Sequence, residues 1–171
     1  MKNALLLTLF VGIAVFGVTQ NETNRGYKIK IGDQLPNLEM EMRSGEVWNN
    51  EKLNGKVVVL QFTGSWCSVC RREMPALEEQ VWQQFKDEEF LLIGIDTKEA
   101  KEKVDVFIEK MGVTYPIAYD PEGKIFSDFT LEGAGVTRNI VVNKNGEIAF
   151  LTRLYAEKEF NSMLEKIKSL L

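Results

Sequence analysis

The run Val57-Val58-Val59-Leu60-Gln61-Phe62 is almost continuously apolar, β-branched in character and of strand length. Such a run leaves no face for solvent, so it reads as a central strand covered on both sides, as parallel strands are in α/β domains. The segments around it fit that frame. Met74, Leu77, Val81 and Phe85 recur at spacings of three, four and four, which predicts a helix of about four turns. Phe90 to Ile95 predicts a second buried strand, and Val104, Phe107, Ile108 and Met111 a second helix that Gly112 stops. Asp120-Pro121-Glu122-Gly123 is a turn, after which Ile125, Phe126 and Phe129 suggest one short helix. Ile140–Val142 and Ile148–Leu151 flank Lys144-Asn145-Gly146-Glu147, where Asn-Gly signals a hairpin. Phe160, Met163, Leu164, Ile167, Leu170 and Leu171 mark a final amphipathic helix. Upstream, residues 37–43 alternate, Ser44-Gly45 turns the chain and Val47-Trp48 resumes the pattern, giving an N-terminal β-hairpin. The expected fold class is therefore α/β, a central mixed sheet flanked by helices with a hairpin extension, over residues 31–171.

Residues 4–18 form a 15-residue apolar run broken only by Thr8, with Lys2 before it and a polar stretch after it. That is the pattern of a secretory signal, since a membrane-spanning helix needs about 20 apolar residues. Cleavage is expected before Val18, making residues 1–17 a signal peptide. The other reading is an uncleaved N-terminal anchor. Both place the rest of the chain outside the cytosol, in a periplasmic or other extracytoplasmic space, and no cysteine ends the run to carry a lipid. Residues 18–30 are polar and aperiodic, so they read as a flexible leader. The 171 residues, 44% hydrophobic and 27% charged, suit one globular domain, expected as a monomer. A net charge of −4, with no basic run longer than Arg71-Arg72, argues against nucleic acid as a partner.

The chain has no histidine, which removes Ser-His-Asp and Cys-His nucleophiles, histidine-ligated metals and imidazole proton shuttles. Its two cysteines stand as Cys67-Ser68-Val69-Cys70. Zinc wants four ligands, and these are the only cysteines, so no metal is expected. A purely structural disulfide is one reading, although so small a loop gains little chain entropy. The functional reading rests on placement. A buried strand ends at Phe62, Thr63-Gly64-Ser65-Trp66 turns, and a helix starts at or beside Cys67. Unpaired N–H groups and the positive end of the helix dipole there stabilise a thiolate. Cys70 lies one turn deeper on the same face. Cys67 is thus the expected nucleophile and Cys70 the resolving thiol. Trp66 either shields the thiolate and docks substrate or simply packs at the loop. Glu73 shares the helical face of Cys70 and is the candidate proton acceptor, with a plain surface glutamate as the competing account.

Residues 57–75, with Trp66-Cys67-Ser68-Val69-Cys70 at their centre, resemble the active-site segment of the thioredoxin superfamily, and specifically of its exported TlpA/ResA-type thiol-disulfide oxidoreductases. Gly32-Asp33 with Pro36 resembles the lead-in of that family and of AhpC/TSA redoxins. Asn54-Gly55-Lys56 and Asn143-Lys144-Asn145-Gly146 resemble the family's approach to the central strand and its late hairpin. Pro75 matches a helix-kinking proline, and Glu73 the position of a glutamate that tunes the thiols. The resemblance implies a thioredoxin-like fold and reduction of protein disulfides outside the cytosol. Electrons would come from a membrane thiol-disulfide carrier, and the redox-active Cys67–Cys70 pair would serve in place of a bound cofactor. One position departs: where the family carries a cis-proline beside the dithiol, this chain has Thr137, assigned with Trp66 to substrate binding. A cis bond before threonine costs about 2.5–4 kcal/mol, so the loop is expected to be strained or trans. Unlike proline, Thr137 has an N–H, which could donate to the Cys67 thiolate. Two other functions stand beside this one. A peroxiredoxin-type thiol peroxidase needs Pro-x-x-x-Thr-x-x-Cys, but Cys67 follows Leu60 and Gly64 at those offsets, and Cys70 follows Thr63 and Cys67. A non-catalytic exported binding module on the same fold is the third class.

Overall fold

The computed structural model describes residues 25–171. The N-terminal hairpin is β1 (Glu39–Met42) and β2 (Val47–Asn49), followed by a single helical turn, α1 (Asn50–Leu53). The central strand β3 (Val57–Thr63) leads to α2 (Ser68–Leu77), a π-helical turn (Glu78–Trp82) and α3 (Gln83–Phe85). Then come β4 (Phe90–Thr97), α4 (Lys101–Met111), β5 (Ile117–Asp120) and α5 (Lys124–Phe129). The chain closes with β6 (Arg138–Val142), β7 (Ile148–Leu151) and α6 (Glu157–Leu170). One seven-stranded sheet runs in the order β2-β1-β5-β4-β3-β6-β7. Strand β3 pairs parallel with β4 and antiparallel with β6, and all seven of its residues are buried. The expected mixed sheet, with helices beside it and a hairpin at its edge, is the observed one.

Alternation along β3 splits the core into two layers. Val58, Leu60 and Phe62 pack with Met40, Phe126 and Phe129 on one face. Val57 and Val59 pack with Met74, Leu77, Phe160 and Met163 on the other. Gln61 shares the second face, and its amide is the polar element there that anchors the site described below.

Three departures from the sequence reading have physical reasons. Strand β5 was not expected: its four residues, between Pro116 and the Asp120 turn, are too few to show a period, and it is its pairing with β4 and β1 that makes it a strand. The single helix expected through Phe85 is broken by a wider turn. Pro75 offers no N–H to the preceding turn, and the Glu78 N–H is shared by the carbonyls of Met74 and Pro75. Met74, Leu77 and Val81 stay buried all the same. Finally, residues 25–30, read as part of a flexible leader, are tied to the core. Tyr27 is buried and its hydroxyl donates to the Thr152 carbonyl at 2.7 Å, the Lys28 N–H donates to the Phe129 carbonyl, and Arg25 pairs with Glu159. A lone aromatic in a polar stretch has no periodicity to announce that it packs. The signal peptide and the rest of the leader lie outside the described residues. No helix among those residues is long and apolar enough to cross a membrane.

Candidate active site

Cys67 and Cys70 are joined as a disulfide with their Cα atoms 5.3 Å apart. Cys67 caps α2 with extended backbone, φ −88° and ψ 107°, and its Sγ accepts from the Cys70 N–H at 3.1 Å. A sulfur so placed satisfies one of the N–H groups that a helix start leaves free, and it sits at the positive end of the dipole. Cys67 is half-buried whereas Cys70 is fully buried, which is the asymmetry read from the sequence. Trp66 is 53% exposed and folds back over Gly64, where a Cβ would lie 2.8 Å from its Nε1. Glycine at that position lets the indole lie flat against the turn. Arg71 and Arg72 face solvent, and Arg71 donates to the Ser65 carbonyl at 2.6 Å. Among the described residues no cluster of three or more potential ligands could hold a metal.

Thr137 enters from the opposite side. The Val136–Thr137 bond is trans, and Thr137 takes φ +67°, a left-handed conformation that β-branched residues rarely adopt. Its N–H does not reach the dithiol, contrary to the expectation from the sequence. It donates instead to the Phe62 carbonyl at 3.1 Å, one residue out of the β3–β6 register in which Phe62 faces Arg138, while the Thr137 carbonyl accepts from the Leu154 N–H at 2.8 Å. What faces the sulfurs is the hydroxyl, 3.0 Å from both Cys67 Sγ and Cys70 Sγ. The neighbouring Arg138, buried and stacked 4.6 Å over the Tyr27 ring, donates to the carbonyls of Arg25 and Gly135 and so fixes the loop. Burial holds the Arg138 pKa below its usual range.

Glu73 is only 1% exposed. Its carboxylate accepts from Asn139 Nδ2 at 2.8 Å and from Gln61 Nε2 at 3.2 Å, and Gln61 Oε1 in turn accepts from the Tyr115 hydroxyl at 2.9 Å. Burial pushes its pKa up to about 7, and the two amide donors only partly offset that. A carboxyl poised there can take or give a proton near neutrality, which the surface-glutamate account could not provide. Gln61, Asn139 and Tyr115 were not singled out by the sequence reading. A usable signal existed for one of them: Gln61 interrupts the otherwise apolar run of β3.

A second carboxyl system braces the turn before Cys67. Glu99 accepts from the Ser65 N–H at 2.5 Å and the Ser65 hydroxyl at 2.7 Å, and it pairs with Lys103 at 2.5 Å. Burial works against the Glu99 charge, but Lys103 and Ser65 together hold its pKa below the usual range. Asp96, fully buried, has no donor for either carboxylate oxygen. Its pKa is pushed up to about 8, by burial first and then by the adjacent Glu99 charge. A proton on Asp96 resolves the conflict, because the neutral acid can donate to Glu99. Glu99→Ala leaves the Ser65 N–H and hydroxyl without their acceptor and Asp96 without its partner. A loss of about 1–3 kcal/mol of unfolding free energy is expected in denaturant titration. An unchanged midpoint would show that Glu99 does not brace the turn.

The match to known proteins follows this geometry. The family model of the AhpC/TSA family matches residues 31–151. The chain belongs to the AhpC/TSA family. It is 27% identical to the thiol-disulfide oxidoreductase ResA of Geobacillus kaustophilus over 98% of its own length and 95% of that protein. The ResA of Bacillus thuringiensis is 28% identical, with 86% of each chain covered. Among solved structures, a Bacteroides thetaiotaomicron protein described as a candidate protein disulfide isomerase superposes with a TM-score of 0.82. It is 45% identical, with 85% of this chain and 92% of that one covered. A Chlorobium tepidum structure assigned to the DsbE thiol:disulfide interchange proteins, 19% identical at a TM-score of 0.72 over 83% of this chain and 98% of that one, shares the fold. The chain is a TlpA/ResA-like member of the thioredoxin superfamily.

Proposed function

We propose that this thiol-disulfide oxidoreductase works outside the cytosol as a reductant of protein disulfides, as a monomer supplied with electrons by a membrane thiol-disulfide carrier. The observation that carries the exchange chemistry is the dithiol itself: one half-exposed sulfur capping α2 and one buried sulfur behind it. The ResA relatives support the activity, and the apolar run of residues 4–18 supports export. No bound cofactor is needed, since the Cys67–Cys70 pair holds the two electrons. The Cys67 thiolate attacks a substrate disulfide, a new S–S bond forms, and the first substrate sulfur leaves with the electron pair of the broken bond. Cys70 then gives up its proton, with Glu73 as the acceptor. Its thiolate attacks Cys67 Sγ, which closes the Cys67–Cys70 disulfide and expels the second substrate sulfur. Two electrons have passed to the substrate, and its two thiolates take up protons from the Glu73 carboxyl and from solvent, which had received the proton of Cys67. Trp66, apolar and exposed beside Cys67, offers the substrate a flat docking surface, whereas Thr137 on the facing loop is fully buried and touches the two sulfurs.

Reductant rather than oxidant is supported by the two residues between the cysteines. Strong oxidants stabilise an unusually acidic thiolate, and Ser68-Val69 brings neither a charge nor an imidazole. Equilibration of the purified protein with a glutathione redox buffer is expected to give a potential nearer the roughly −270 mV of thioredoxin than the roughly −120 mV of strong oxidants. A value at the oxidant end would overturn the direction of electron flow.

A further inference from the structure

We infer that the Thr137 hydroxyl is a catalytic group, a single donor that serves both sulfurs in turn and stabilises whichever of them carries the negative charge. The inference deepens the exchange chemistry proposed above. It stands on geometry at the position where the resemblance places a proline, which has no hydroxyl. Thr137 Oγ1 lies 3.0 Å from Cys67 Sγ and 3.0 Å from Cys70 Sγ, and these are its only hydrogen-bonding contacts among the described residues. The residue that carries the oxygen is held on both sides. The backbone on which it sits donates to Phe62, accepts from Leu154 and is fully buried.

In the disulfide both sulfurs are neutral and neither competes strongly for the one O–H proton. Reduction changes that, because a thiolate accepts a charge-assisted hydrogen bond. In the dithiol the charge falls on Cys67, which then has the Cys70 N–H and the Thr137 hydroxyl as donors. In the mixed disulfide Cys67 Sγ is neutral and the charge must appear on Cys70, buried among apolar side chains, where desolvation opposes it. Rotation about the Thr137 Cβ–Oγ1 bond turns the O–H from one sulfur to the other without moving a heavy atom. The same group thus lowers the cost of the attacking thiolate and, one step later, of the resolving thiolate. The electrons still flow from dithiol to substrate, and the hydroxyl keeps its proton throughout.

The test compares Thr137→Val, Thr137→Ala and Thr137→Ser with the parent protein. Valine keeps the branched shape and removes the hydroxyl, alanine removes it with less bulk, and serine retains it. The readout is the pH dependence of Cys67 alkylation in the reduced protein, which needs no substrate. With the valine and alanine variants the thiolate fraction below the midpoint is expected to fall about tenfold or more, with serine restoring it. The glutathione equilibrium should move toward the reducing side by the same factor, about 30 mV per tenfold. Resolution of a preformed mixed disulfide should slow about tenfold in valine and alanine but not in serine. Parent-like titration of the valine and alanine variants would overturn the role. So would equal shifts in all three variants, since the effect would then come from backbone shape. A parent protein that titrates as described but reduces no protein disulfide would instead count against the proposed function.

Discussion

A Cys70→Ser variant mixed with a disulfide-bearing protein accumulates a covalent complex through Cys67, close to one substrate per chain, and a Cys67→Ser variant accumulates none. The expectation follows from access and electrostatics. Cys67 is half-buried at the start of α2, where its sulfur already accepts an N–H, so it is the sulfur that ionises and meets substrate. Cys70 has no solvent exposure and can act only on a bond already made at Cys67. Turnover with a dithiol donor falls to the uncatalysed background in both variants, because each step needs its own thiolate. Non-reducing electrophoresis separates the cases, and equal trapping by both variants would reverse the assignment of roles.

The oxidised protein loses stability as pH rises from 3.8, the ordinary value of Asp96, through the folded values of about 7 and about 8. Glu73 carries a folded pKa of about 7 against an ordinary 4.5, and Asp96 about 8 against 3.8. A carboxyl whose folded pKa is raised binds its proton more tightly in the native state. Between the unfolded and folded values the native state therefore holds more protons, and its advantage drains away as pH climbs. For Glu73 alone the shift corresponds to roughly 3 kcal/mol, complete by about pH 8. Denaturant unfolding at pH 5 and pH 8 measures it. Glu73→Gln should flatten its share of the slope, as Asp96→Asn should flatten the other. The glutamine amide would face two N–H donors, but Asn139 Oδ1 has no partner among the described residues. Turning the Asn139 side chain over supplies the missing acceptor. A parent slope that persists unchanged in both variants would place the titration elsewhere.

What the sequence made legible was whatever is local. The apolar run of β3 announced a strand covered on both faces, and the stripe from Met74 announced the helix that carries the cysteines. Cys67, Cys70 and Glu73 share one helix, so spacing alone put them on one side. The partners of Glu73 come from β3 and β6, and the tyrosine behind Gln61 from the segment before β5, so no spacing rule joins Gln61, Asn139 and Tyr115. The same limit hid Glu99, which reaches Ser65 across 34 positions. Thr137 shows the limit most plainly. Its N–H looked free because strand pairing is not written in the residue, and the bond to the Phe62 carbonyl exists only once β6 lies beside β3.

Among the described residues, the non-glycine positions with left-handed backbone are Lys98, Thr137 and Leu154. Lys98 follows β4, Thr137 precedes β6 and Leu154 follows β7, so all three sit at the end of the sheet that carries the dithiol. At the far end, positive φ falls on residues such as Gly112 and Gly146, where it costs little. Each left-handed side chain costs on the order of 1 kcal/mol or more. The molecule is therefore polarised mechanically: a relaxed base and a tensioned rim. For anyone seeking heat-resistant variants, the rim is where relief is available, and also where each relieved residue loosens the frame that aims the sulfurs. The base can be redesigned freely, while at the rim durability and exchange rate trade against one another.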